Sequence, residues 1–251
     1  MEPELGCRMG QVEQIIRYMY WSSGCTGIVV GMSGGVDSAV AAAFCCRAVG
    51  GEKVLGLSLP SSVSDPADIK DAAVLCDRMG MKHRIVSIEP MLNGFKTIPE
   101  FKESRYLLGN LMARIRMAVL YYYANRDQKI VCGTSNHSEY MLGYCTKFGD
   151  NAADFQPLLH LYKTDIYEYA RELGIPESII KKAPSAGLWE GQRDEDEIGL
   201  SYTEIDTSLL ALEQQSWLAE TPAQEKVLAL VKKSEHKRLV APNLLAAQKK
   251  L

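Results

Sequence analysis

The chain has 251 residues, 47% of them hydrophobic and 24% charged, so it can bury a sizeable core and is not a disordered, collagen-like or coiled-coil polymer. Its 28 basic and 31 acidic residues give a net charge of −3, which argues against a protein whose work is to coat nucleic acid or an anionic membrane. At ~100 to 200 residues per domain, and with no internal repeat or Pro/Gly/Ser-rich linker, a single domain over residues 1–251 is expected.

Val12, Ile15, Ile16 and Met19 fall at i, i+3, i+4 and i+7, the spacing of an amphipathic helix, and the apolar stretch Ile28 to Met32 that follows reads as a strand. A helix beginning near Asp37 runs through Ala39 to Val49 and stops at Gly50-Gly51. The second strand, Val54 to Leu59, is ended by Pro60. Asp65 then stands as N-cap with Pro66 at the first helical position, and Gly80 closes that helix. A strand over His83 to Ile88, a helix within Tyr106 to Asn125 and a strand over Lys129 to Cys132 come next. Beyond Gly133 the chain turns irregular and polar until a helix over Thr164 to Leu173; Thr203 to Trp217 and Ala223 to Lys237 read as further helices. Alternating strands and helices joined by short turns imply an α/β, doubly wound, Rossmann-like parallel sheet of about five strands with helices on both faces. Ligands of such sheets sit at the C-terminal strand ends.

The longest nearly unbroken apolar run, Ala39 to Cys46, is far short of the ~20 residues that span a bilayer, and Met1 to Gly10 carries Glu2 and Glu4 in place of a basic signal region. A cytoplasmic protein with no membrane and no nucleic-acid partner is expected. The seven cysteines include no C-x-x-C pair, so they read as reduced thiols.

Gly31-Met32-Ser33-Gly34-Gly35-Val36-Asp37-Ser38 lies where the first strand passes into its helix. Glycines let backbone N–H groups turn toward an anion, Ser33 and Ser38 add hydroxyl donors, and the helix N-terminus adds partial positive charge. The loop has neither the lysine-bearing G-x-x-x-x-G-K-[ST] spacing nor G-x-G-x-x-G, and it carries a carboxylate instead. Asp37 beside phosphates calls for a divalent cation between them, which implies Mg²⁺. The structural alternative is a tight strand-to-helix turn capped by an Asp.

The S-G-G-x-D-S loop resembles the pyrophosphate loop of ATP pyrophosphatases, which cleave ATP between its α and β phosphates to adenylate a substrate. Val131 to Glu139, with Gly133, Thr134 and Glu139, and Gly143 to Asp150, with Thr146-Lys147-Phe148-Gly149-Asp150, closely resemble the NAD synthetase pattern V-x-G-T-x-x-x-x-E … G-x-x-T-K-x-G-D. Asp154, Pro157-Leu158, Lys163, Lys182 to Ala186 and Glu235 to Arg238 continue the resemblance, which spans roughly Ile15 to Arg238.

This resemblance implies an enzyme that uses ATP to amidate deamido-NAD through an adenylate, releasing AMP and pyrophosphate. It places Gly31 to Ser38, with Thr134, Lys163 and Ser185, on ATP. Asp37 and Glu139 would hold Mg²⁺, and Arg114, Lys147, Asp154, His236 and Lys237 would hold deamido-NAD. Asp37 and Lys163 would act in catalysis, together with Asp154 as acceptor of the proton that ammonia sheds. A homodimer is also implied, because such late residues help complete a site near a subunit interface. About 25 residues precede the first strand, which leaves no room for an amidase domain, so ammonia is the expected nitrogen donor, either free or delivered by a separate glutaminase subunit. Two other readings stay open: another adenylating enzyme of the same loop class, such as a tRNA thiolase or an amidotransferase synthetase subunit, and a non-catalytic ATP-binding protein on the same fold.

Overall fold

The computed structural model describes residues 5–239. Four parallel strands, β1 (Gly27–Gly31), β2 (Val54–Ser58), β3 (Lys82–Ile85) and β4 (Lys129–Cys132), lie in the order β3-β2-β1-β4. Register is set by Ile28 opposite both Val54 and Ile130. Helices α1 (Leu5–Ser23), α2 (Val36–Val49) and α3 (Pro66–Arg78) are joined by α4 (Glu89–Phe95), α5 (Arg105–Arg126) and α6 (His137–Leu142). The remainder are α7 (Lys163–Glu172), α8 (Glu177–Ile180), α9 (Asp194–Ile198), α10 (Tyr202–Gln214) and α11 (Pro222–Ser234). None is long and apolar enough to cross a membrane among the described residues.

Alternate residues of the strands supply two cores, which is why the strands read as unbroken apolar runs. Ile28, Val30, Val54, Ile130 and Cys132 face α1, α2, α3 and α7, whereas Val29, Leu55, Leu57 and Val131 face α4 and α5. Helix α2 is buried all round from Val36 to Cys45 save Asp37, and its small residues let α1 and α7 pack over it. A third core, including Ile198, Ile205, Leu209, Leu212 and Val227, joins α9, α10 and α11 to α6. Gly143, at φ 65°, ends α6, and a Cβ there would lie 2.2 Å from Ser234 Cβ, so glycine lets α11 approach.

Among the described residues the sheet has four strands where about five were expected. Cys132 and Phe155 form a single parallel bridge. The Asp154 carboxylate accepts the Val131 N–H at 2.7 Å, and Pro157, with no N–H of its own, follows two residues after Phe155, so no regular ladder develops on the outer edge of β4. The other edge strand, β3, ends at Ile85 because the chain turns into α4 at Glu89. All seven cysteines are free.

Phe44 is fully buried, with its ring centroid 5.7 Å from that of Tyr169, and joins α2 to α7. Phe44→Ala is expected to lower stability by about 3–5 kcal/mol, read from the midpoint of denaturant unfolding at unchanged slope.

Candidate functional site

The strand order reverses between β1 and β4, and at their C-terminal ends a cleft of about 1150 Å³ opens. On one side it is lined by the bend after β1, at Met32, Ser33, Gly35, Val36, Asp37 and Ser38; on the other by Thr134, Ser135 and Glu139 after β4.

The bend is preorganised by its own hydroxyls. Ser33 and Ser38 Oγ atoms lie 3.0 Å apart, Gly35 N donates to Ser33 Oγ at 3.2 Å, and Ser38 Oγ donates to Gly35 O at 3.0 Å. The N-cap of α2 is Gly35, with no side chain capping the first turn, so the capped-turn alternative fails and the leading N–H groups are left for an anion. Gly34 sits at φ 84° against α3, where a Cβ would come within 2.6 Å of Asp68 Cβ.

Asp37, Glu139 and Lys163 converge across the cleft. Lys163 Nζ lies 2.5 Å from Asp37 Oδ2 and 3.1 Å from Glu139 Oε1, with its side chain 3% exposed. Burial alone would favour a neutral amine, but the two carboxylates outweigh it and raise the Lys163 pKa. Burial pushes the Glu139 carboxyl up to about 7; Lys163 counters this and Asp37 adds to it. Two hard carboxylates already facing one shared cation are a donor set that suits Mg²⁺ when phosphate oxygens complete the shell. Among the described residues no group of three His, Cys, Asp or Glu side chains could hold a metal unaided.

Sequence reasoning missed the residues that hold this trio. Asn136, fully buried, donates from Nδ2 to Asp37 Oδ1 at 2.8 Å, and its Oδ1 caps α6 by accepting Glu139 N at 2.9 Å. Asp206 of α10 accepts from Ser138 Oγ and, at 2.9 Å, from Thr164 N, while Ser138 Oγ accepts Lys163 N at 2.9 Å. The ends of α6 and α7 that carry Glu139 and Lys163 are thereby fixed to the third core. An Asn three residues before Glu139 is a capping signal visible in the sequence; Asp206, 68 residues from Ser138, has none.

Ser185 lines the cleft, its Oγ accepting Gly187 N at 3.1 Å. Lys237 lines it too, donating to Gly143 O and Cys145 O at 2.7 Å each. The other residues expected on deamido-NAD form a separate surface strip. Arg114 is exposed and donates to Lys147 O at 3.2 Å, and Lys147 Nζ donates to His236 O at 2.5 Å. Asp154, exposed, accepts from Tyr121 OH at 3.3 Å and from Val131 N. Arg114 and Tyr121 are seven apart on α5 and share its outer face. It is Arg116, not Arg114, that reaches the cleft, its Nε donating to Leu59 O at 3.0 Å and its pKa lowered by burial. His137 binds Glu213 Oε1 at 2.9 Å.

A family model described as NAD synthase matches residues 9–241. An NH(3)-dependent NAD(+) synthetase of Methanoregula boonei is 69% identical over 246 residues, which is 98% of this chain and 99% of that protein. Among solved structures, the NMN synthetase from Francisella tularensis superposes with a TM-score of 0.88 at 36% identity, covering 96% of this chain and 99% of that one. The NH3-dependent NAD synthetase from Campylobacter jejuni, in complex with the nitrate ion, does so at 0.83 and 32%, with the same coverage.

Asn136→Ala removes a helix cap and a donor to Asp37 together. Its thermal unfolding should report a loss of about 1–3 kcal/mol.

Proposed function

The chain belongs to the NAD synthase family, and on that premise we propose how its residues divide the work. It is an ammonia-dependent ligase that uses ATP and converts deamido-NAD to NAD. The bend from Gly31 to Ser38 holds the β and γ phosphates of ATP as the departing pyrophosphate, with Thr134 and Ser185 flanking the nucleotide. The observation that carries this reading is the uncapped start of α2 facing the trio of Asp37, Glu139 and Lys163.

A carboxylate is a poor acyl donor because its leaving group would be oxide. Attack of the nicotinate carboxylate on the α phosphorus exchanges that for AMP, which ammonia then displaces. No residue of the chain acts as nucleophile; catalysis is positioning and charge neutralisation. Asp37 and Glu139 would hold Mg²⁺, which when bound neutralises phosphate charge. Lys163, buried and kept cationic, supplies a second fixed charge at the same place.

Arg114, Lys147, Asp154, His236 and Lys237 bind deamido-NAD, whose diphosphate needs cations. The Asp154 carboxylate, held by Val131 N and Tyr121 OH, keeps acceptor capacity for the proton that ammonia sheds. A homodimer completes this strip. Support comes from the outer face of α5, where Leu107 is 51% and Tyr122 63% exposed beside Arg114, and from Phe148 at 62%. A second copy over that face would enclose the strip and join it to the cleft.

With ATP, Mg²⁺, deamido-NAD and ammonium, the purified protein should yield one AMP and one pyrophosphate per NAD; ADP as product would overturn the mechanism. Glutamine in place of ammonium should give no NAD, and nicotinic acid mononucleotide should show the lower kcat/KM. Asp37→Ala should abolish turnover while the chain still unfolds in one cooperative transition, at a lower temperature because Lys163 loses one of its two carboxylate partners. Sedimentation should show a dimer, which Leu107→Glu combined with Tyr122→Glu should convert to monomer with a raised KM for deamido-NAD.

A further inference from the structure

One cation of the cleft has no task in this reaction. Lys182, between α8 and the Ser185 loop, lines the cleft, yet its Nζ lies 2.6 Å from Asp68 Oδ1 and 2.6 Å from Asp71 Oδ2, both on α3. The same nitrogen donates to Gly34 O at 3.3 Å. Asp68 is also the residue against which the glycine bend packs, so closely that only glycine fits at position 34. Two carboxylates therefore stand directly behind a loop that must receive a polyanion.

Uncompensated, those carboxylates would repel the triphosphate, and at this partly buried depth solvent would screen them incompletely. The bond from Lys182 to Gly34 O has a second consequence. In a trans peptide the C=O and N–H point oppositely, so drawing the Gly34 carbonyl toward α3 turns the Gly35 N–H toward the interior of the bend. That N–H meets Ser33 Oγ at 3.2 Å.

We propose that Lys182 is a positioning residue for ATP: it neutralises Asp68 and Asp71 behind the glycine bend and sets the orientation of the Gly34–Gly35 peptide. This rests on the reading that the bend holds the phosphates of ATP. Lys182 itself touches no reacting atom.

The test compares steady-state KM values for ATP and deamido-NAD across a small set of variants. Lys182→Met should raise the KM for ATP about tenfold or more, while that for deamido-NAD stays within about twofold. Lys182→Arg should restore ATP to within about threefold, and so should Lys182→Met combined with Asp68→Asn and Asp71→Asn, since the repelling charges are gone. Added salt should shrink the Lys182→Met defect. A purely structural lysine would leave the triple variant no better than Lys182→Met and would affect both substrates alike; either result, or an unchanged KM for ATP, overturns the proposal. Ser38→Ala separates the two levels. If it raises the KM for ATP while Lys182→Met does not, only the role of Lys182 fails; if Ser38→Ala leaves that KM unchanged, the reading of the bend fails with it.

Discussion

The site depends on one buried electrostatic balance, two carboxylates held against a single ammonium. Asp37 comes from the start of α2, Glu139 from α6 and Lys163 from the first position of α7. Removing one partner of such a set leaves charge stranded away from water, typically at ~3–5 kcal/mol, so each partner must be placed by the surrounding structure. The sheet places Asp37 and Glu139 by ending β1 and β4 side by side. The third core places Lys163, through Asp206, Ser138 and Thr164 N. The helices after Asp194 are thus part of the site's scaffold and not an appendage to it.

What was legible in the sequence is what is encoded locally. The bend after β1, the Asp65–Pro66 start of α3, the strands β1, β2 and β4 and the long helix α5 each carry their signal within a few residues. Asp65 does accept Ala67 N at 2.8 Å, and the strand-helix alternation did imply the parallel sheet. Short helices such as α4, α6, α8 and α9 escaped notice because four to seven residues give too little periodicity to separate from loop. Among the described residues the outer edge of β4 carries only a single bridge because a side chain, Asp154, takes a backbone donor of that strand, which no propensity reveals.

For the site, the residue types in the bend and their position after a strand pointed to phosphate binding before any partner was known. The resemblance to NAD synthetases added Glu139, Lys163 and the dinucleotide set. Neither source gave Asp206, the bond from Asn136 to Asp37, or the contacts of Lys182 with Asp68 and Asp71. Their meaning lies in contacts between residues 42 to 114 positions apart in most cases, and Asn136 itself meets Asp37 across 99. Arg114 and Arg116 show the limit at shorter range. Both are arginines on one helix, two positions apart and so on different faces, and only the packing of α5 on the sheet decides which one enters the cleft.

A phosphate loop that carries its own lysine keeps its charge within a few residues; here the nearest cation to Asp37 arrives from 126 residues away. The separation suits the reaction. Cleavage between the α and β phosphates requires the outer two to be gripped as a leaving group while the α phosphorus stays open to a carboxylate. A bend of N–H and hydroxyl donors can hold pyrophosphate without a side chain reaching over the α position. On the proposed reading, the charge that must rise as pyrophosphate departs would be met by Lys163, whose ammonium is kept charged by Asp37 and Glu139. Acid and base side chains are therefore spread over both walls, and the site exists only when β1, β4 and the third core are assembled together.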